Sequence, residues 1–154
     1  LKAFNEVNGE AADTEAEIDR LEKLIREAPI DVACVGIGEN GHLAFNDPPA
    51  DIDTNRAYKV VPLDDKCRMQ QVGEGWFATK DDVPTHAFSM TMKQILWSKS
   101  IVCTCPDARK ADAVVGAVEG PVTNMLPSSF MQMHPDCGMF LDPPSAAKLT
   151  KKYA

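Results

Sequence analysis

A short β-branched apolar run that leads directly into a glycine-rich loop most constrains how this chain can fold. The run covers residues 31–35, and the loop continues through residues 36–49 until two prolines end it. This order predicts a buried strand that delivers a polar loop to the carboxyl edge of a sheet, which is where open α/β folds bind ligands. We therefore expect the chemistry of the protein to lie in this loop.

Three glycines of the loop, Gly36, Gly38 and Gly41, match the spacing of the dinucleotide-binding fingerprint. That fingerprint requires the third glycine to open a helix, but Pro48 and Pro49 follow within two helical turns. We interpret the glycines as backbone room around a small ligand. No nicotinamide, flavin or other cofactor is expected.

One histidine, His42, lies in this loop together with Glu39, Asn40, Asn46 and Asp47. A lone histidine is more often a structural hydrogen-bonding residue than a proton-transfer group. The neighbouring carboxylates and amides favour the functional interpretation here, because an imidazole oriented by a carboxylate is standard equipment for acid–base catalysis.

The composition indicates one globular domain with a small-molecule partner. A chain of 154 residues with 44% hydrophobic residues can build one core, so residues 1–154 are expected to form a single domain. The net charge of −7, without a basic stripe, argues against nucleic acid and anionic membranes. No apolar run has the length of a membrane span and no signal peptide is visible, so we expect a soluble, intracellular protein.

The five cysteines are an odd number, and most of them lie within apolar strand-like runs. This pattern indicates buried free thiols in a reducing cytoplasm rather than a disulfide framework. Cys103 and Cys105 alternate on one face of a strand and are weak evidence for zinc. No metal site is expected.

Hydrophobic periodicity predicts alternating helices and strands along the chain. We expect a three-layer Rossmann-like open sheet of class α/β, mostly parallel, with right-handed crossovers and helices on both faces. The first helix should begin at a capping box of Thr14 and Glu17. The predicted strands are residues 31–35, 56–61, 85–92, 101–105 and 137–141, and the predicted later helices follow Asp64 or Asp65, pass through residues 95–97, 111–118 and 128–133, and close the chain from Asp142.

Two cations precede the predicted helix 111–118, for which Asp107 is the expected N-cap. Arg109 and Lys110 interact unfavourably with the helix dipole, so another, favourable interaction must offset this cost. A phosphate held by Lys110 and free backbone N–H groups would provide it. The alternative is an ordinary surface pair of cations, and the residues alone leave both interpretations open.

Residues 36–48, Gly-Ile-Gly-Glu-Asn-Gly-His-Leu-Ala-Phe-Asn-Asp-Pro, resemble the signature of the glucosamine-6-phosphate deaminase (isomerase) family, and the resemblance continues through residues 117–125, 132–135 and 142–145. It implies that the chain is similar to the carboxyl-terminal two-thirds or so of such a protein, with a phosphate loop and an aspartate general base preceding Leu1. An incomplete domain of this kind would expose one edge and one face of its sheet.

The resemblance implies an enzyme of amino-sugar catabolism that converts glucosamine 6-phosphate to fructose 6-phosphate and ammonia. It gives His42 a role in ring opening and places Asp47 where the family usually has a glutamate that pairs with this histidine. Asn40 stands where the familiar enzymes have an aspartate. This exchange removes a charge, because an amide can orient an imidazole but cannot stabilise imidazolium as a carboxylate does.

By the same resemblance, Arg68 and Lys110 match phosphate ligands of the family, and a guanidinium with an ammonium suits a dianionic phosphate. Gly38 and Gly41 belong to the substrate-binding loop. The family includes hexamers, so the resemblance allows a homo-oligomer. The allosteric anion site of those hexamers is not expected, because only Lys59 of its basic residues remains.

Two alternatives stay open. One is a hydrolase that resembles 6-phosphogluconolactonase, which shares the fold and a Gly-x-Asp-Gly-His loop. The other is a non-catalytic module that binds a sugar phosphate, which is considered because Asn40 replaces the aspartate of the familiar enzymes. The continuation of the loop through residues 44–48 favours the deaminase.

Overall fold

The main sheet of the computed structural model, which describes residues 3–153, contains three parallel strands. They are β1 (Val32–Val35), β4 (Ser100–Cys105) and β5 (Cys137–Leu141), in the order β1–β4–β5. Val32 pairs with Ser100, and Ile101 pairs with Cys137. The predicted α/β class and the mostly parallel sheet are confirmed.

The remaining two strands form a sheet of their own. β2 (Tyr58–Pro62) and β3 (His86–Met90) are antiparallel, with Tyr58 opposite Met90. Both strands lie where the sequence predicts them, but they do not join the parallel sheet. Alternation of side chains shows that a segment is extended and does not show which strand it pairs with.

The helices occupy most of the predicted segments, and none among residues 3–153 combines the length and the apolar character needed to cross a bilayer. The side chain of Asp13 caps the first helix by accepting the backbone N–H of Ala16 at 3.0 Å, so the capping box expected at Thr14 and Glu17 is wrong by one residue. The α-helices are α1 (Thr14–Ile25), α2 (Asp65–Gly73), α3 (Met92–Leu96) and α4 (Ala111–Glu119), and three 3₁₀ helices cover Lys80–Asp82, Ala108–Lys110 and Pro127–Met133.

The predicted closing helix is wrong, because the chain after β5 forms a series of turns. Oδ1 of Asp142 accepts the backbone N–H of Ser145 at 2.9 Å, and Oγ of Ser145 donates to the carbonyl of Asp142 at 3.1 Å. The two prolines between them have no N–H to donate, so this local arrangement satisfies the backbone instead of a helix.

The core lies on one face of the parallel sheet. Ile101 and Cys103 of β4 point into it and belong to the same buried cluster as Val114 of α4 and Met131. The opposite face carries exposed side chains, among them Val32, Cys34, Thr104 and Phe140. This face of the sheet is therefore exposed within residues 3–153, although the expected architecture has helices on both faces, as parallel sheets normally do. This exposed face is what the sequence predicts for an incomplete domain.

Candidate active site

A buried amide ties the glycine-rich loop to the β2–β3 hairpin. Nδ2 of Asn46 donates to the carbonyls of Leu43 at 2.9 Å and Met90 at 2.8 Å, and Asn46 is only 2% exposed. The backbone N–H of Phe45 also donates to Oγ of Ser89 at 3.1 Å. Asn46 therefore holds the loop in place.

His42 and Asp47 meet across this loop, as predicted. Nδ1 of His42 lies 3.0 Å from Oδ1 of Asp47. Nδ2 of Asn40 donates to the same Asp47 oxygen at 2.8 Å, and Oδ1 of Asn40 accepts the backbone N–H of His42 at 3.1 Å. The amide of Asn40 thus orients the carboxylate of Asp47 and not the imidazole, which differs from the role that sequence reasoning considered for it.

The carboxyl group of Asp47 is held in its ionised form. Burial alone would raise its pKa, but the close contact with His42, the hydrogen bond from Asn40 and the charge that His42 can carry outweigh burial and lower the pKa below its ordinary value. His42 therefore has an anionic partner at neutral pH without a second carboxylate at position 40. The imidazole can therefore still pair with a negative charge, that of Asp47, although position 40 carries an uncharged amide.

The site opens onto a cavity of about 590 Å³ between the loop, the end of β4 and α2. His42 and Gly38 line it on one side, and Glu74, Arg109 and Lys110 line it on the other. This volume is within the range of about 300–1,000 Å³ that is typical of small-molecule sites. The cavity combines the imidazole of His42 with two cations and with the carboxylates of Glu74 and Asp107, and its cations suit an anionic, hydroxylated ligand.

Lys110 is buried and only 8% exposed, so the alternative of a surface cation is wrong for it. Its Nζ lies 4.0 Å from Oε1 of Glu74, the only carboxylate within ion-pair distance among the described residues. The backbone N–H of Lys110 donates to the carbonyl of Asp107, and that of Ala111 to the carbonyl of Ala108. The anion interpretation expected these two N–H groups to be free, but both already donate to backbone carbonyls.

Arg109 fits the surface interpretation better than Lys110 does. Its Nη2 donates to Oδ2 of Asp107 at 2.8 Å, its Nη1 lies 3.4 Å from Glu39, and half of its side chain is exposed. It therefore stands at the mouth of the cavity and already has two anionic partners.

Arg68 does not line this cavity. Its Nη2 donates to the carbonyls of Lys80 at 2.6 Å and Val83 at 3.0 Å, which ties α2 to the following 3₁₀ helix. The structure therefore brings Lys110 to His42 and leaves Arg68 in a loop-bracing position. Its role as a phosphate ligand stays a prediction.

The two glycines assigned to substrate binding make room for the chain itself. A Cβ atom at Gly38 would lie 2.2 Å from the imidazole of His42. Gly41 has a φ of 84°, and a Cβ atom there would lie 2.2 Å from Cδ1 of Leu126. The expected backbone room is thus present, but His42 and Leu126 fill it instead of a ligand.

Sequence reasoning assigned Asp107 only to a helix cap, yet this residue shapes the edge of the cavity. Asp107 adopts a φ of 89°, an unusual backbone for a residue other than glycine, and its side chain caps the 3₁₀ turn before α4. Its N–H donates to both carboxylate oxygens of Asp142 at 3.2 Å. Strained residues of this kind are concentrated at functional sites. The motif at residues 142–145 was the available signal, because it follows a strand adjacent to β4.

Sequence reasoning gave Cys67 no role, and the structure places it next to the pair of His42 and Asp47. It is 1% exposed on the first turn of α2, where the side chain of Asp64 caps the helix. Burial, followed by the charges of Asp47, Asp64 and Glu74, raises the pKa of the Cys67 thiol to about 12. Nothing in the spacing of Cys67 from His42 in the sequence predicts this proximity.

Comparisons with solved structures define the class of protein first. The fold matches a monomeric glucosamine-6-phosphate deaminase described as a missing link of the NagB superfamily, with a TM-score of 0.84 and 34% identity over 92% of this chain and 57% of that one. A 6-phosphogluconolactonase from Trypanosoma brucei shares the fold with a TM-score of 0.70 at 14% identity, over 97% of this chain and 57% of that one. The chain thus has the Rossmann-like fold of the NagB superfamily.

Curated proteins are similar to nearly the whole chain. The chain is 42% identical over 151 residues to a glucosamine-6-phosphate deaminase of Listeria welshimeri, covering 96% of this chain and 63% of that protein. The corresponding protein of Lacticaseibacillus paracasei is 42% identical over 156 residues, covering 98% and 64%. No family model matches the chain. The chain is therefore similar over nearly its whole length to these glucosamine-6-phosphate deaminases, as the signature loop predicts, and it spans just under two thirds of their length.

Replacing Gly41 by alanine should destabilise the fold more than the same change at Gly75. Both glycines have positive φ, 84° and 81°, but a Cβ atom at Gly75 meets nothing within 4 Å. Gly75→Ala should lower the free energy of unfolding by about 1–2 kcal/mol for backbone strain alone. Gly41→Ala should cost roughly 1–3 kcal/mol more because it overlaps Leu126. Urea denaturation of the two variants measures the difference, and equal losses would show that Leu126 gives way freely.

Proposed function

We propose that this chain carries the ring-opening and phosphate-binding part of a glucosamine-6-phosphate deaminase, which forms fructose 6-phosphate and ammonia. The observation that carries the proposal is the buried pair of His42 and Asp47 at the edge of a cavity that also contains the ammonium group of Lys110. The named activity of the homologues supports the same reaction. Because the chain spans less than two thirds of those homologues, the reaction of the whole protein is part of the proposal.

Ring opening requires that a proton leave the C1 hydroxyl of the sugar and that the ring oxygen gain one. A single imidazole can do both in turn, since it accepts a proton at one stage and returns it at the next. Asp47 keeps the ring of His42 oriented and balances its charge while the proton resides there. We assign no residue of this chain to the proton transfer between C2 and C1.

Lys110 is the proposed ligand of the phosphate. Its only carboxylate neighbour, Glu74, is at the limit of ion-pair distance, so a dianionic phosphate can take over the contact. Arg109 lies at the mouth of the same cavity and can approach the phosphate from the solvent side. Arg68 would have to give up two carbonyl partners to do so, which makes it the weaker candidate.

The setting that we propose is the cytoplasm, since all five cysteines are free thiols. The net charge of −7 continues to argue against a nucleic-acid partner.

The decisive experiment measures ammonia release coupled to fructose 6-phosphate formation from glucosamine 6-phosphate. His42→Ala should lower kcat by about 100- to 10,000-fold, because it removes the proton-transfer group. His86→Ala is the matched control, since His86 is exposed on β3 and its imidazole hydrogen-bonds to the neighbouring Thr85, and it should retain wild-type turnover. Hydrolysis of 6-phosphogluconolactone without deamination would move the assignment to the lactonase alternative, and phosphosugar binding without turnover of either substrate to a binding module.

Lys110→Met should raise the KM for glucosamine 6-phosphate without a comparable loss of stability. Arg68→Met should lower the stability and leave the KM nearly unchanged, because the hydrogen bonds of Arg68 to Lys80 and Val83 brace α2. We expect the KM of the Lys110 variant to rise at least about tenfold, the effect of losing one charge-assisted hydrogen bond of 1.5–3 kcal/mol. Steady-state kinetics and thermal denaturation of both variants separate the two roles. A large KM effect in a stable Arg68 variant would restore Arg68 as the phosphate ligand.

Asn40→Asp should lower kcat and move the acid limb of the pH–rate profile to higher pH. The new carboxylate would stand where Asn40 now donates 2.8 Å to Asp47, and two carboxylates this close cannot both ionise easily, so their pKa values rise. Asn5→Asp adds the same charge at an exposed position and controls for net charge. A gain of turnover would mean that the charge missing at position 40 limits the enzyme.

A further inference from the structure

Three side chains with metal-binding chemistry come together in the site, and one of them is His42, the proposed proton-transfer group. His42, Asp47 and Cys67 each offer one ligand atom within 4.8 Å of the other two. No other group of three or more histidine, cysteine or acidic side chains comes together in this way within residues 3–153. Cys103 and Cys105, which the sequence offered as weak evidence for zinc, are therefore not part of such a group.

Two polar atoms of this cluster are buried without a hydrogen-bond partner. They are Nδ1 of His42 and Oδ2 of Asp47. Nδ1 is 3.0 Å from the other oxygen of Asp47, but the contact lacks hydrogen-bond geometry, and the side chain of His42 is more than nine-tenths buried. Buried polar atoms without partners carry a desolvation penalty, which a cation placed between them would remove.

We propose that His42, Asp47 and Cys67 form a binding site for a thiophilic divalent cation such as Zn²⁺, and that the bound ion inhibits the protein by occupying the imidazole. An imidazole nitrogen, a carboxylate oxygen and a thiolate are all ligands that zinc accepts, and three of them leave one tetrahedral position for water. Ions that prefer only oxygen ligands, such as Mg²⁺, fit this set poorly.

The geometry requires only a small contraction. Zinc–ligand bonds of about 2.0–2.3 Å place the ligand atoms of a tetrahedron roughly 3.3–3.8 Å apart. Cys67 lies on the first turn of α2 and Asp47 in the loop that faces it, so a shift between these two elements closes the remaining distance. On binding, the thiol of Cys67 releases its proton to solvent and the resulting thiolate bonds the metal.

The surrounding charges favour a cation at this position. The carboxylates of Asp64 and Glu74 add to that of Asp47 in the field at Cys67, and Lys110 is the one cation that opposes them there. The Cys67 thiol carries no charge of its own until the metal arrives. A divalent ion would therefore compensate a cluster of negative charge.

The inhibitory part rests on the proposed function, whereas the binding site does not. A metal on Nδ1 of His42 would replace its contact with Asp47 and withdraw the imidazole from proton transfer. Metal binding can be measured on a protein that shows no turnover, and turnover can be measured on a protein stripped of metal by a chelator.

The test is a titration of the chelator-treated protein with Cd²⁺, followed by the ultraviolet charge-transfer band of the cadmium–thiolate bond and repeated in competition with Zn²⁺. Wild type should bind one equivalent with this band, and so should Cys34→Ser, which removes an exposed cysteine outside the cluster. Cys67→Ser should lose the band and bind at least about tenfold more weakly, since even groups that only support a ligand contribute 10- to 100-fold. Asp47→Asn should weaken binding while keeping the band, which guards against misfolding of the cysteine variant.

Unchanged cadmium binding in Cys67→Ser, or no tight binding in wild type, would overturn the site. In the activity arm, Zn²⁺ should inhibit wild type and Cys34→Ser at concentrations at least about tenfold below those needed for Cys67→Ser, in line with the loss of affinity. Metal binding that leaves turnover unchanged would overturn the inhibition. Binding in a protein without deaminase turnover would support the site and reject the proposed function instead.

Discussion

The position of the glycine-rich loop depends on one buried amide, that of Asn46. By donating to the carbonyls of Leu43 and Met90, the Asn46 amide joins the loop after β1 to strand β3 of the separate hairpin. His42 and Asp47 flank this anchor in the sequence, so its two hydrogen bonds fix the distance between them. Breaking either bond would leave a buried amide or carbonyl unpaired, at a cost of about 1–3 kcal/mol, and would release the loop that carries the chemistry.

The charged groups of the site form two separate sets, one beside His42 and one at Lys110. Asp47 is the single carboxylate against His42, and Asn40 supports it as a hydrogen-bond donor instead of repelling it as a second carboxylate would. On the other side of the cavity, Lys110 has only a distant partner in Glu74. The arrangement leaves a positive group free for an anion and a negative group beside an imidazole, which is what a phosphorylated sugar undergoing proton transfer requires.

Much of the fold could be predicted from the sequence, because burial imposes a local pattern on each element. The strands at residues 101–105 and 137–141 and the helix after Asp64 were found almost to the residue. The antiparallel hairpin, the replacement of the closing helix by turns, and the cap at Asp13 were not. Each of these depends on a partner distant in the sequence or on competition between neighbouring polar side chains, and periodicity records neither.

The sequence by itself indicated the similarity to glucosamine-6-phosphate deaminases, the contact of His42 with Asp47, and Lys110 as a candidate anion ligand, because these groups lie in or beside short motifs. Only the tertiary structure decided that Asn40 serves Asp47, that Arg68 braces a loop, and that Cys67 lies behind the imidazole. Those relations join α2 and its neighbours to a loop about twenty residues away. Packing of the core brings them together, and no local pattern encodes a contact made across a fold.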